Sequence, residues 1–430
     1  MSEPLHRRLV PQSMQTKPVV MEVWARRAIL RAREGLQENV RLEIRDGTIQ
    51  SVDVGVEWSP SCDSDPGGTV KIFEDGVLVP GLIDAHVHLV SPGTQDHKVD
   101  PFTFGERERV LIAGENLHRA LSVGLTTVRD CGIPEGFGPS IVKMLNEGWI
   151  VGPRVFSSGP ALTVTGGHGH TLGIEVDDPS EATKGVRFLK KGGADFIKVM
   201  ASGGGTRGTL PWAAPFDESM MKAVSREAHS WGLEVTAHAT SPTSVSLCLE
   251  AGFDGIEHAE LLTGPTEYEI SPDLIARIAD SGILVCPTLT ASWRMYRDIE
   301  DKSAALDAAG QKRLSFLANL SEQSRKGFRA MVEAGVKIAA GTDAGTGMNP
   351  IDDYASELHL MADNGMGLAD VLNSATEMAA RSVGKDSHLG VLAPGYYGDF
   401  TLLGGNPLTD ITAYEEVLNT TVAGVELFRK

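Results

Sequence analysis

An α/β architecture is predicted for this 430-residue chain, a (β/α)8 barrel (TIM barrel) with a small β-sandwich domain formed from both chain ends. Three observations lead there. From Val77 onward, short apolar strands alternate with helical segments, which is the signature of a parallel sheet with crossover helices. The two chain ends carry β-type runs separated by turn formers instead. Residue types that bind metals stand at the ends of successive strands.

Residues 1–19 read as an N-terminal extension, 20–76 and 385–430 as the β-sandwich, and 77–384 as the barrel. The run Val40-Arg41-Leu42-Glu43-Ile44, the turn Asp46-Gly47 and the run through Ile49, Val52 and Val54 predict a hairpin. Turn formers from Ser59 to Gly68 predict a surface loop. Eight barrel strands follow: Leu78 to His88, Thr126 to Asp130, Arg154 to Gly159, Phe196 to Ala201, Leu233 to Ala239, Gly255 to Ala259, Ile283 to Thr288 and Val336 to Thr342. Amphipathic segments such as Glu218 to Trp231 and Pro272 to Ser281 separate them, and Gly232, Gly252, Gly282 and Gly335 each end a helix just before a strand. Ala291 to Ala334 is a long polar helical insertion after the seventh strand, placed to overhang the active-site face as a lid or as a passive elaboration. After Arg381 the chain returns to β character through Pro394-Gly395, Phe400-Thr401-Leu402-Leu403 and Val417 to Phe428.

With 39 Lys+Arg against 57 Asp+Glu, the net charge of -18 argues against nucleic acid and anionic membrane surfaces as partners. Cys62, Cys131, Cys248 and Cys286 lie far apart without CxxC spacing, so they read as separate buried thiols of a reducing compartment. Arg7 and Arg8 precede no continuous apolar run, and a cytoplasmic protein is expected.

In a parallel barrel the C-terminal strand ends converge on one face. The first strand ends in His86-Val87-His88, and alternation along a strand points both imidazoles to the same side. Lys198 interrupts the apolar fourth strand, where a buried charge is costly. Either it pairs with an acid, or its amine is held neutral and adds carbon dioxide to become a carbamate whose two oxygens bridge two metals. The fifth strand ends at His238, the sixth at His258 and the eighth at Asp343, and residues so consistently in phase with the strands point to a metal site. Thr165-Gly166-Gly167-His168-Gly169-His170 follows the third strand and reads either as substrate contact, His168 ahead of His170, or as a flexible loop. Arg207, in the glycine-rich loop Ser202 to Arg207, reads either as a clamp on a substrate carboxylate or as a solvated arginine. That loop lacks the Lys-Ser/Thr ending of a phosphate-binding P-loop.

Pro80-Gly81-Leu82-Ile83-Asp84-Ala85-His86-Val87-His88 resembles the opening motif of the amidohydrolase superfamily, and Gly341-Thr342-Asp343 its closing one. The tail Leu389 to Gly395, Gly398-Asp399-Phe400 and Gly405-Asn406-Pro407-Leu408 is similar to the family's return to its β domain, so the resemblance spans nearly the whole chain. It implies a binuclear site, usually zinc, with His86, His88 and Asp343 on one ion, His238 and His258 on the other, and a carboxylated Lys198 bridging them. It further implies that the ions acidify a shared water and polarise the scissile carbonyl, while Asp343 takes the water's proton and passes it to the leaving nitrogen. His168 would assist as a catalytic imidazole on the carbonyl. The reaction is amide hydrolysis; a lactone or ester hydrolase would use the same chemistry, and a non-catalytic metal-binding barrel would be expected to lose ligands.

Mononuclear deaminases of the superfamily lack the strand-four lysine and carry Glu where this chain has Ser241. Imidazolonepropionase-like members resemble the tail but also lack the lysine. The fuller resemblance is to the Xaa-Pro dipeptidase and carboxypeptidase-like branch, which implies an N-acyl amino acid, a dipeptide or an amide-containing toxin as the small-molecule substrate, and a homo-oligomer.

Overall fold

The computed structural model of the protein describes residues 20–60, 69–93, 104–303 and 306–430. The extension 1–19, most of the Ser59 to Gly68 loop and Cys62 lie outside the described residues.

Both chain ends build one β unit. Its strands are Val20–Ala28, Gln37–Arg45, Thr48–Asp53, Thr69–Phe73, Val77–Pro80, Phe400–Leu403, Val417–Val422 and Val425–Arg429. The expected hairpin joins the second and third of these, turning at Asp46 and Gly47 with φ of 50° and 77°, the positive pair that a tight two-residue turn needs. Val20–Ala28 pairs with Gln37–Arg45 on one side and with both Thr69–Phe73 and Val77–Pro80 on the other, so the unit is hydrogen-bonded as one forked sheet rather than as two separate ones. Met21, Val23, Leu42, Ile44, Phe400 and Leu402 fill its core.

The remaining strands are all parallel. One sheet holds Leu82–Val87, Leu125–Asp130 and Arg154–Ser157 in that order. A second runs Ile174–Glu175, Leu162–Thr163, Ile197–Met200, Val235–Ala239, Gly255–His258, Leu284–Cys286, Lys337–Ile338. Backbone hydrogen bonds reach from one sheet to the other at both seams: Asp195 N–H donates to Ser157 O at 2.9 Å, and Ala85 N–H to Ala340 O at 2.9 Å. The expected first strand, Leu78 to His88, is divided at Gly81, where a Cβ would fall 2.2 Å from Thr126 Oγ1. That close approach lets Val77–Pro80 stay in the forked sheet while Leu82–Val87 enters the parallel one.

Helices start and stop where the local chemistry directs. Asp178, Ser241 and Ser271 each accept a backbone N–H of the following turn, and each precedes a proline at the first helical position. Gly232, Gly252, Gly282 and Gly335 all have φ between 69° and 74°, the left-handed exit that a glycine takes without penalty. The insertion forms helices Leu289–Asp301 and Ala308–Glu333. Ile299, Leu317 and Leu320 from these helices pack with Trp212, Leu262 and Tyr268, which lie on loops after two other parallel strands, so the insertion does stand over the strand-end loops.

One buried ion pair ties the two units together. Arg154 on a parallel strand meets Asp399 beside the returning strand, each side chain 5% exposed, and Asp399 also accepts from Ala423 N–H at 2.6 Å. Asp399→Ala should therefore cost about 3 to 5 kcal/mol, because a buried guanidinium and a backbone donor lose their acceptor together. Thermal or denaturant unfolding measures it, and an unchanged midpoint would show that Arg154 finds another partner.

Candidate metal centre

The parallel strands bring the expected donors together at their C-terminal ends. His86 Nε2 and His88 Nε2 approach the same Asp343 Oδ1 at 3.4 and 3.1 Å. Ring centroids then step from His88 to His86 at 5.4 Å, to His258 at 5.2 Å, to His238 at 4.5 Å and to His168 at 4.5 Å. Five imidazoles thus form one unbroken string, and Lys198 lies beside it at 1% exposure, within electrostatic reach of all five. Among the described residues no hydrogen bond or ion pair holds Lys198.

Burial, reinforced by Lys198, pulls His86 and His168 down to about 4 and His258 down to about 3, and it holds His238 well below the ordinary value. These four rings are therefore neutral near pH 7 and keep a lone pair for a cation. At His88 burial acts downward too, but the contact with Asp343 outweighs it and raises the ring. Burial would raise Asp343; His86 and His88 overcome it and keep the carboxylate ionised.

The outer ring nitrogens show which inner atom is free. His86 Nδ1 donates to Glu257 Oε2 at 2.8 Å and His88 Nδ1 to Gly132 O at 3.2 Å, so each turns Nε2 inward, where at His88 a cation would displace the proton that Asp343 favours. His238 is reversed, with Nε2 donating to Gly203 O at 3.0 Å and Nδ1 left to ligate. His258 Nδ1 is 2.7 Å from the Thr288 hydroxyl, leaving Nε2. One nitrogen each from His86 and His88 and one Asp343 oxygen all lie within 4.8 Å of one another, a donor set that fits a divalent cation.

Beneath the donors lies a layer that the strand pattern alone did not single out. Glu257, 1% exposed, accepts from His86, from Arg129 Nη1 at 2.8 Å and from the Thr236 hydroxyl, and the Arg129 guanidinium with the His86 hydrogen bond overcomes burial to keep it ionised. Asp84 accepts His86 N–H at 3.0 Å, Thr342 N–H at 3.0 Å and the Thr342 hydroxyl at 2.6 Å, stapling the first strand to the Asp343 turn, and burial pushes it up to about 7. Charged residues interrupting apolar strands, the cue that marked Lys198, mark Glu257 and Arg129 equally. Cys131 lies close enough to His86 and Glu257 to complete a second donor group, but burial pushes its thiol up to about 12, so it stays protonated. Cys131, Cys248 and Cys286 are buried and unpaired, as expected.

The loop residues divide. His168 joins the string, its Nδ1 2.8 Å from the Thr206 hydroxyl, which also accepts from Gly169 N–H. A Cβ at Gly204 would stand 2.5 Å from His168 Nε2, so only glycine lets the loop pass the ring this closely. His170 turns back onto Gly167 O of its own loop at 2.9 Å. Arg207 is exposed, with no hydrogen bond or ion pair to the described residues.

Glu257→Gln keeps the shape but removes the charge that His86 and Arg129 share. Affinity for Zn2+, titrated against a chelator, should fall about 10- to 100-fold. Unchanged affinity would mean that His86 is oriented by its backbone alone.

Comparison with known proteins places this geometry. Residues 77–427 match the model of the amidohydrolase family. Ochratoxinase of Aspergillus niger is 30% identical over 374 residues, covering 79% of this chain and 72% of the relative. Imidazolonepropionase of Ralstonia nicotianae is 25% identical over 393 residues, covering 84% and 86%. The crystal structure of a Xaa-Pro dipeptidase with methionine bound in its active site superposes with a TM-score of 0.82 at 26% identity, covering 96% of this chain and all of that one. The family is generally metal-dependent, in keeping with the donors found here. The chain belongs to the amidohydrolase family and is a hydrolase acting on carbon–nitrogen bonds.

Proposed function

We propose that the chain hydrolyses the amide bond of an N-acyl amino acid, a dipeptide or an amide-containing toxin, using two divalent ions, zinc in this reading. His86, His88 and Asp343 would hold one, His238 and His258 the other, and Lys198, carboxylated on Nζ, would be shared between them. The observation that carries the proposal is the buried Lys198 beside five imidazoles with no acid paired to it among the described residues. Loss of one proton frees the amine, and addition of carbon dioxide to it with loss of a second proton replaces that costly cation by a carbamate anion suited to two cations. Similarity to ochratoxinase and to a Xaa-Pro dipeptidase supports the substrate class. The two parallel sheets, linked at both seams, are read as the arcs of one (β/α)8 barrel over 77–384, beside the β unit of 20–76 and 385–430.

When bound, the ions supply Lewis acidity that acidifies water and polarises a carbonyl. The chain supplies the rest. Asp343, ionised, accepts the proton of the attacking water and returns it to the leaving nitrogen. If Thr206 donates its hydroxyl proton to Nδ1, His168 keeps Nε2–H to donate to the carbonyl oxygen as negative charge grows there. Arg207 on its exposed loop is available to a substrate carboxylate, and His170 steadies the loop that carries His168.

A screen of dipeptides and N-acyl amino acids with metal-loaded enzyme tests the reading, together with elemental analysis expected to give two ions per chain. Lys198→Ala should lose most of the activity and metal. Asp343→Asn should fold normally while kcat falls by about 10²- to 10⁴-fold. Full activity with one ion, or an Asp343→Asn enzyme near wild type, would overturn the mechanism. Arg207→Ala should raise KM more than about tenfold for carboxylate-bearing substrates and spare their amide analogues. Equal loss on both would remove Arg207 from recognition.

A further inference from the structure

One carboxyl group beside the site has no task in this scheme. Glu260 follows His258 by two residues, and the backbone around it is left-handed at three non-glycine positions, His258, Ala259 and Leu261, with φ of 74°, 53° and 61°. Such conformations persist only where the surroundings enforce them. Here they do: Leu262 N–H donates to Thr240 O at 2.7 Å, Glu269 N–H to Leu261 O at 3.0 Å and Thr263 N–H to Glu267 O at 2.9 Å. Ala259, Leu261 and Leu262 are buried by this turn. Glu260 alone of the four is half-exposed.

A half-buried acid with a structural role is normally held by a donor. Among the described residues no hydrogen bond or ion pair reaches the Glu260 carboxyl. It follows the His258 strand end by two residues and lies within electrostatic reach of Asp343. It also lies within reach of Tyr268, whose hydroxyl is buried and without a partner among the described residues. Tyr268 belongs with Trp212, Leu262 and Met295 to the apolar cluster that the insertion helices complete, so an unpaired carboxyl stands on the loop whose next residues, Leu262 and Tyr268, form an aromatic and aliphatic wall. Apolar lining with a single charged group is how a pocket selects one charged feature on a hydrophobic ligand.

We propose that Glu260 is a specificity residue that receives a protonated amine of the substrate, either the α-ammonium of a dipeptide or the ammonium of a lysyl side chain. This assignment rests on the amide-hydrolase reading of the site. The overall charge of -18 draws cationic substrates toward the protein, and Glu260 gives that attraction a fixed end point on the loop that follows His258.

The test uses the metal-loaded full chain and two substrate pairs, each with one scissile bond and one leaving group. The first pair is a dipeptide with a free α-amine and its Nα-acetyl form. The second is an Nα-acetyl-lysyl substrate and its norleucyl analogue. In at least one pair the wild type should favour the amine-bearing member in kcat/KM by about tenfold or more, and Glu260→Gln should reduce that ratio by a similar factor. Whichever pair responds tells the α-amine from the side-chain amine. No preference in either pair, or a ratio that Glu260→Gln leaves unchanged while metal content stays intact, overturns the assignment alone. A metal-loaded wild type that cleaves no member of either pair overturns the amide-hydrolase reading itself, so the two failures are told apart.

Discussion

The Glu257 carboxylate is buried among groups that each need it: an imidazole, a guanidinium and a hydroxyl. Removing a carboxylate from water costs several kcal/mol, and only a full set of donors offsets it. Because the three donors come from three different strands, satisfying Glu257 also fixes how those strands sit relative to one another. His86 is the member that matters for chemistry. With Nδ1 committed to Glu257, its Nε2 has one direction left, and Asp343, His88 and His258 are all arranged around that direction. Arg129, stacked 4.2 Å from the Phe196 ring, keeps Glu257 ionised and so keeps the proton on His86 Nδ1.

Above that layer, the site works by holding charge back rather than by accumulating it. Four imidazoles are kept neutral by burial, and the carboxylates are placed in two tiers, Asp343 among the donors and Glu257 with Asp84 below. The geometry stores backbone strain in return. His258, Thr288 and Asp343 have φ of 74°, 48° and 60°, each of which costs a non-glycine residue about 1 to 3 kcal/mol. At His258 the purpose is visible. Regular alternation would point Glu257 and His258 to opposite faces, whereas the left-handed turn at His258 lets both bear on His86.

Most of the donor set was legible in the sequence because the phase of a strand fixes which residues reach its end. His86, His88, Lys198, His238, His258 and Asp343 needed only the strand order. Strand ends were harder to place: Leu78 to His88 read as one strand because nothing local announces that Gly81 must pass against Thr126. Val336 to Thr342 reads as a full strand, yet only Lys337–Ile338 pairs as one; Ala339 still bonds to Val285 of the same neighbour, while Ala340 turns to Ser374 and to Ala85 of the first parallel strand. Glu257 and Arg129 carry the same cue as Lys198, a charged residue within an apolar strand. Asp84 and Glu260 carried none, since their roles come from contacts far away in sequence and from a turn whose torsions no pattern reports.

The glycine-rich loops are the place where composition misleads most. A run such as Gly203-Gly204-Gly205 suggests flexibility, yet a Cβ at Gly203 would lie 2.2 Å from Leu210 O and one at Gly204 would strike the His168 ring. Gly203 and Gly204 are present so that chain can pass against chain, and the loop is close-packed there, whereas an added Cβ at Gly205 would meet nothing within 4 Å. His168 is thereby held on both sides, by Gly204 against its face and by Thr206 at Nδ1, as firmly as the residues on strands. In the proposed reading, recognition of different substrates falls to charged side chains that no hydrogen bond or ion pair holds among the described residues. Arg207 and Glu260 are two such side chains, one positive and one negative, standing on loops that follow two different metal-donor strands. Under that reading such a division, with rigid chemistry below and unpartnered charges above, would let the leaving group and acyl group be read separately without moving the donors beneath them.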